Sequence, residues 1–473
     1  MLPDETFFSP IRELAAQIRA RRISPIELTE GYLQRLETTG ARLGAVAVVM
    51  RETALREARE AEREIRAGRY RGLLHGIPYG AKDLLATRDA NTTWGAAPYK
   101  DQRFNFDATV VKKLRAAGAV LVAKLSMIEL AGGMGYNRAD ASLTGACRTP
   151  WNTDFWSGGS SSGPGAAVAA GLVVFAIGSE TSGSIITPAA FCGVSGLRPT
   201  YGAVSRHGAM ALCWTLDKLG PMCRSAEDCG IVLASVAGQD SLDSTSRPSE
   251  FRRLATFRAR GSKPVKRPRI AVMKDSYEKA QTEVRENFLR SLDALKDFAV
   301  VEMDVKLPDF PYGPAVGTIV DAEGASAFRE LIESGRVKEL ASAQGRVGGY
   351  AASLVTAVDY LHAMRMRAPM RRAWKELFGK YDLLVAPSRS TVAYPVDKNF
   401  EDAYPGITTS SPIGASNLVG VPAISVPNGF GQNNLPTGIQ FIAPARDDER
   451  LVEVAAQYQR ATDWHTRRPS LMA

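Results

Sequence analysis

The sequence predicts an α/β fold built as one large domain, residues 1–473, and three observations carry that expectation. Stretches with helical periodicity alternate with short apolar runs, the pattern of a layered α/β protein. Strand-like runs occur on both sides of a polar, charged stretch at 240–268, which therefore reads as a surface connection within one sheet rather than a boundary between two domains. No internal repeat stands out at periods of roughly 20–50 residues, so solenoids and propellers are excluded. A hydrophobic content of 45% against 23% charged residues excludes disordered and fibrous classes.

The elements follow in order. Ser9-Pro10 and Ser24-Pro25 each place a serine and a proline at a helix start, for 11–21 and 26–37. Leu28, Tyr32, Leu33 and Leu36 give the second an apolar stripe. A third helix over 51–68 turns Leu55, Ala58, Ala61 and Ile65 inward and interleaved Glu and Arg outward. Residues 74–83 run as a strand end into the interior, followed by a helix at 108–117 and a strand at 120–124. Alanines over 165–171 suit a tightly packed helix, and 173–177 reads as a buried strand. Ser225 begins a helix over 226–237. Beyond the polar connection come a strand at 269–273, a helix at 283–295 and a strand at 298–303. Helical pattern fills 315–331 and much of 351–378. Strand-like runs at 383–387, 423–427 and 438–443 precede a last helix at 448–462.

A net charge of +9 permits acidic partners, yet the basic residues are spread out, with a local excess only over Arg252–Arg269. That run carries no aromatics at stacking spacing and reads as a solvated connection, so no nucleic-acid partner is expected. Cysteines 147, 192, 213, 223 and 229 form no CxxC pair, which suggests buried free thiols and no metal site. No window reaches the length of apolar residues that a membrane span needs. The first residues lack the basic and apolar regions of a signal peptide, so the cytoplasm is the expected location.

The chain is organised around residues 156–200. Gly158-Gly159-Ser160-Ser161-Ser162-Gly163 and Thr181-Ser182-Gly183-Ser184 flank the apolar helix and strand. The two clusters therefore sit at a turn before a helix and at a turn after a strand, where backbone N–H groups can hold an anion or a developing oxyanion. A Gly/Ser-rich surface loop would not alternate with apolar elements in this way. Upstream, Lys82 lies in an apolar, small-residue setting, where a desolvated amine loses basicity and can serve as a base.

These motifs resemble the amidase signature family of Ser-cisSer-Lys hydrolases. The family's pattern is close to GGSSGG, a spacer, a Gly-Ser-Asp-x-Gly-Gly-Ser run and GLKPT. Here the corresponding runs are GGSSSG, GSETSGS and Gly196-Leu197-Arg198-Pro199-Thr200, with the family's spacing between Ser160 and Ser184. Gly76-Ile77-Pro78 with Lys82-Asp83 resembles the GIPxxxKD run that carries the catalytic lysine. Similarity extends over residues 5–235 and 380–470 and is thin between 240 and 380.

The resemblance implies a mixed central sheet covered by helices on both faces, with a signature core at about 70–235 and a variable, substrate-covering region at about 240–380. It also implies an amidohydrolase of linear amides in which Ser184 attacks the carbonyl, Ser160 relays its proton and Lys82 is the base. The Gly159-Ser160 peptide is expected to be cis. Backbone N–H groups of Thr181, Ser182, Gly183 and Ser184 form the expected oxyanion hole. Met134, in a loop that shapes the pocket in relatives, is a candidate for substrate contact. Neither metal nor organic cofactor enters this scheme. The expected partner is a small-molecule amide, carbamate or ester, acted on by a monomer or homodimer away from nucleic acid and membrane.

Two departures bear on substrate choice: Ser182 replaces the first paired glycine, and Glu180 replaces an aspartate. Rival readings are weaker. A G-x-S-x-G elbow at Gly159–Gly163, served by His362 or His465, lacks the preceding strand. Ser276-x-x-Lys279 lacks the partner motifs of penicillin-recognising enzymes. A catalytically silent scaffold would not need all of Lys82, Ser160 and Ser184. The serious alternative is the glutaminase subunit of a tRNA-dependent amidotransferase, which shares the triad. Those subunits carry an Arg-Arg-Ile run and a Tyr-Tyr-Asp-Ala motif, and the stretch GRVGGYAASLVTAVDYLHAMRMR has neither. On that ground a stand-alone amidase is the expectation.

Overall fold

Strands from both halves of the chain meet in one sheet in the computed structural model, which describes residues 2–248, 251, 267–407 and 411–470. Eleven strands occur among the described residues: β1 (Val46–Val49), β2 (Pro78–Lys82), β3 (Val120–Leu125), β4 (Phe175–Glu180), β5 (Ser195–Arg198), β6 (Lys218–Cys223), β7 (Arg269–Met273), β8 (Val300–Val305), β9 (Leu383–Pro387), β10 (Ala423–Phe430) and β11 (Pro436–Ile442). Their spatial order is β1-β3-β2-β4-β6-β5-β10-β11-β9-β7-β8. Two parallel patches, β3-β2-β4 and β9-β7-β8, are joined by antiparallel pairs through β6, β5, β10 and β11. The sheet is therefore mixed and belongs to a single large α/β domain.

Alternation along the strands buries both faces. On β3, Leu121 joins one apolar cluster while Val120 and Val122 join another; on β4, Phe175 and Ile177 oppose Ala176 in the same way. Helices Pro25–Arg35, Arg51–Arg66 and Ser162–Ala169 contribute Leu33, Ala54, Ala58 and Ala166 to the Val120 side. Helices Thr109–Ala116 and Ala226–Val236 contribute Val110, Leu114 and Val232 to the other. No helix among the described residues is long and apolar enough to cross a membrane.

Several boundaries differ from the sequence expectation. β5 and β6 are hidden by Gly196, Gly220 and Pro221, which interrupt the apolar pattern. These glycines mark close approaches: a Cβ on Gly196 would lie 2.6 Å from the Ala189 Cβ, and one on Gly220 would lie 2.0 Å from the Leu197 carbonyl oxygen. β4 runs on to Glu180, so Ser179 and Glu180 belong to the strand. The single helix expected over 315–331 is two, Tyr312–Ala327 and Arg329–Glu333. The helical pattern over much of 351–378 belongs to two helices, Gly345–Ala352 and Ala357–Phe378, the second beginning where the Thr356 hydroxyl accepts from the Asp359 N–H at 3.1 Å. Most of the expected basic connection, 252–266, lies outside the described residues.

Candidate active site

Parallel pairing of β2 with β4, with Ala81 opposite Ile177, brings the C-terminal end of β2 beside Ser179. Lys82 is fully buried there. Its Nζ lies 2.8 Å from Ser160 Oγ, 3.0 Å from Ser161 Oγ and 2.9 Å from Ser179 Oγ. Burial pulls the Lys82 ammonium down from 10.5 to about 7, against the weaker upward pull of the Asp217 and Glu180 charges. No carboxylate among the described residues neutralises it at contact distance, because the adjacent Asp83 is committed elsewhere. Asp83 pairs with Lys124 at 2.8 Å and accepts from the Thr93 N–H and hydroxyl. When Lys82 is neutral it has two N–H donors and one lone pair, so one of the three serines can donate to it.

The first serine turn is shaped by close packing. The Gly159-Ser160 peptide is cis. A Cβ on Gly159 would lie 2.7 Å from the Trp156 ring and 2.8 Å from Ile128, so only glycine fits. Ser161 ties this turn to its neighbours: its N–H donates to the Ser184 carbonyl at 3.2 Å, and its hydroxyl donates to the Ser179 carbonyl at 3.1 Å. Lys82, Ser160 and Ser184 are thus brought into adjoining turns. No hydrogen bond joins the Ser160 and Ser184 hydroxyls among the described residues.

The second turn is held from beneath by Glu180. Its Oε2 accepts from the N–H groups of Ile185 (2.8 Å) and Ile186 (3.0 Å), directly after Ser184. Its Oε1 accepts from Arg198 Nη1 (2.9 Å) and Asn417 Nδ2 (2.8 Å). Burial alone would raise the Glu180 carboxyl, but Arg198, Asn417 and the two amides outweigh it and hold the group below its ordinary value. Thr181 donates its hydroxyl to Asp217 at 2.6 Å. That leaves the backbone N–H groups of Thr181, Ser182, Gly183 and Ser184 with no acceptor among the described residues. Gly183 has φ +96°, a conformation that needs glycine, whereas Ser182 has no positive φ and faces solvent. A serine in place of the first paired glycine is therefore tolerated.

A cavity of about 200 Å³ reaches Ser179 and Thr181 and is walled by Leu84, Met210, Leu212 and Trp214. Met134 is buried under helix Gly345–Ala352, its sulfur lying where a Cβ on Gly349 would approach to 2.7 Å, and it is not among that cavity's lining residues. Sequence reasoning missed Ser161 and Ser179 as partners of Lys82 and missed the Glu180–Arg198–Asn417 brace. The alternation of β4 could have pointed to Ser179, because it turns Ser179 and Glu180 to opposite faces.

The Amidase family model matches residues 27–452 of the chain. A glutamyl-tRNA(Gln) amidotransferase subunit from Acinetobacter baumannii (strain AB0057) is 36% identical, covering 98% of this chain and 97% of that protein. The structure of the native peptide amidase from Stenotrophomonas maltophilia matches with a TM-score of 0.82 at 30% identity over 98% of both chains. That of the glutamyl-tRNA(Gln) amidotransferase subunit from Thermotoga maritima matches with a TM-score of 0.79 at 26% identity over the full length of each.

These likenesses correct one expectation. A small-molecule substrate alone, no nucleic acid and a monomer or homodimer do not stand, because full-length relatives are named as subunits of a glutamyl-tRNA(Gln) amidotransferase. The physical reason is that the motifs around Lys82 and the serines are local and say nothing of what the rest of the surface meets. Two motifs absent from one short stretch cannot outweigh identity spread over 98% of the chain. The match across residues 27–452 and the identity along the whole length place this chain in the amidase signature family, as an amidase-signature hydrolase.

Proposed function

We propose that the chain releases ammonia from glutamine through an acyl-enzyme on Ser184, as the glutaminase subunit of a tRNA-dependent amidotransferase. The single observation that carries this reading is the 36% identity, over nearly the whole of both chains, to a glutamyl-tRNA(Gln) amidotransferase subunit. The site geometry supports the chemistry. Neutral Lys82 accepts the Ser160 proton, and Ser160 takes the proton of Ser184 as its Oγ attacks the amide carbon. The relay needs the Ser160 and Ser184 hydroxyls within hydrogen-bond reach, a contact that apo sites commonly leave open. The carbonyl oxygen, now negative, is met by the unpaired N–H groups between Thr181 and Ser184, each worth about 3 kcal/mol in such a role. The relay returns its proton to the departing nitrogen, ammonia leaves, and water repeats the sequence to free Ser184 and a carboxylate.

A second reading, hydrolysis of amides other than glutamine, is favoured by the likeness to the peptide amidase. It is also favoured by the absence of the Arg-Arg-Ile and Tyr-Tyr-Asp-Ala runs from the stretch 345–367. The deciding experiment measures ammonia release from glutamine and a peptide amide, and product release from an aryl acylamide, a carbamate and an ester, with Ser184→Ala alongside. Ammonia from glutamine, abolished in the variant, is the expected result. Turnover of the other amides with none of glutamine overturns the glutaminase reading and leaves the acyl-enzyme chemistry intact.

A further inference from the structure

A second cavity, of about 410 Å³, opens where residues 5–13, the start of helix Ala226–Val236 and the last turn of helix Asp448–Ala461 meet. Four arginines line it, Arg12, Arg224, Arg460 and Arg468, together with His465. Glu5, Glu13, Glu227 and Asp228 line it too. Glu227 is taken by Arg12 Nε, whereas Glu5 and Glu13 have no ion pair among the described residues, Glu13 accepting from the neutral Gln17 amide at 3.1 Å. Asp228 is buried, accepts from the Ile11 N–H at 3.1 Å, and is pushed up to about 7 by that burial.

Asp228 aside, Arg224, Arg460 and Arg468 then stand against Glu5 and Glu13, a surplus of one cation. Arg224 and Arg468 both lie on the Phe8 ring, 5.1 and 4.9 Å from its centre, so two like charges share one ring-lined corner. Among the described residues, Arg224 Nη2 reaches only the carbonyl oxygens of His465 and Arg467, at 3.1 and 2.9 Å. Neither Arg460 nor Arg468 has an ion pair among the described residues. Two buried nitrogens in the wall, Arg12 Nη2 and His465 Nδ1, lack any hydrogen-bond partner among those residues. A buried donor left unsatisfied is costly, and several guanidiniums converging on one space are best satisfied by an anion with several oxygens.

We propose that this cavity binds a phosphorylated small molecule, with its phosphate held by Arg224, Arg460 and Arg468 and its organic part against Phe8, Pro10 and Ala456. The cavity has the size of a small-molecule site and is larger than a bare phosphate requires. Its lining includes none of Lys82, Ser160 and Ser184, so it is separate from the amide-cleaving site.

Isothermal titration of the full chain with inorganic phosphate, glycerol 3-phosphate and adenosine 5′-monophosphate tests this, at constant ionic strength. Expected is one saturable site that takes at least one monoester at least tenfold tighter than inorganic phosphate. The Arg460→Gln/Arg468→Gln double variant, altered at two exposed side chains, should bind at least tenfold more weakly while melting at the same temperature. A short RNA lacking terminal phosphates separates monoester from backbone recognition. Binding of that RNA without the monoesters overturns the proposal. So does a lack of saturable monoester binding, or an affinity unchanged in the double variant.

Discussion

Lys82 and Lys124 sit on neighbouring strands, with Ala81 paired to Lys124 and Lys82 to Leu125, and both are fully buried. They meet different partners. Lys124 faces the Asp83 carboxylate at 2.8 Å and the Thr92 hydroxyl at 2.8 Å. Lys82 faces three serine hydroxyls and no carboxylate among the described residues. Burial lowers both amines, but Asp83 pulls Lys124 back up, whereas only more distant charges act on Lys82, which settles at about 7. A buried lysine with a carboxylate is part of the scaffold; one surrounded by hydroxyls can gain and lose a proton near neutral pH. Asp83 makes the difference by occupying Lys124.

The sharpest way to break this contrast is to remove the groups proposed to react. Ser184→Ala and Lys82→Ala should each lower kcat/KM by about 10⁴-fold or more, read in the ammonia-release assay. Lys82→Arg should be as poor, since a guanidinium does not deprotonate. Next in size, Asp83→Asn strands the buried Lys124 and should cost about 3–5 kcal/mol of stability in urea unfolding. Glu180→Gln, which strands the fully buried Arg198, falls in the same range. Lys82→Met, by contrast, removes a poorly compensated amine and should leave the unfolding midpoint at pH 7 unchanged or raised.

The pH dependence sharpens the contrast further. kcat/KM should rise with pH through about 7 as Lys82 loses its proton. Stability moves the same way. Between about 7 and 10.5 the unfolded chain holds a proton on Lys82 that the folded chain does not, so the Lys82 contribution to stability grows as pH rises through that window. Urea midpoints for wild type should increase there relative to Lys82→Met. The smallest effect belongs to Asp217→Asn. It removes a charge that holds Lys82 up, so the inflection in kcat/KM should move to lower pH by less than about one unit.

Much of this site is legible in the chain because its signals are local. Glycine and serine clusters mark turns, and the apolar stretch between them marks a helix and a strand, so Ser160 and Ser184 can be placed without coordinates. The apolar setting of Lys82 marks it as a candidate base, but nothing near it in sequence says which serines it meets. Its contacts with Ser160, Ser161 and Ser179 arise from the parallel pairing of β2 with β4, across separations of 78, 79 and 97 residues. The brace of Glu180 by Asn417 spans 237 residues and has no local signature at all. In the fold, β5 and β6 escape detection because the glycines that let neighbouring backbone approach also erase the strand pattern. The partner class is misread from sequence because it depends on surfaces outside the reacting groups, on which the serine motifs are silent.

The most direct test of a neutral Lys82 driving Ser184 needs no natural substrate. A fluorophosphonate that forms a covalent adduct with activated serines would be mixed with the protein from pH 5 to 10, and the labelling rate followed by intact mass, with peptide mapping of the adduct. The expected result is a single adduct on Ser184 whose rate rises with an apparent pKa near 7, and which Lys82→Met slows at every pH. An adduct on another residue, or a rate that climbs only toward pH 10, would contradict the role assigned to Lys82.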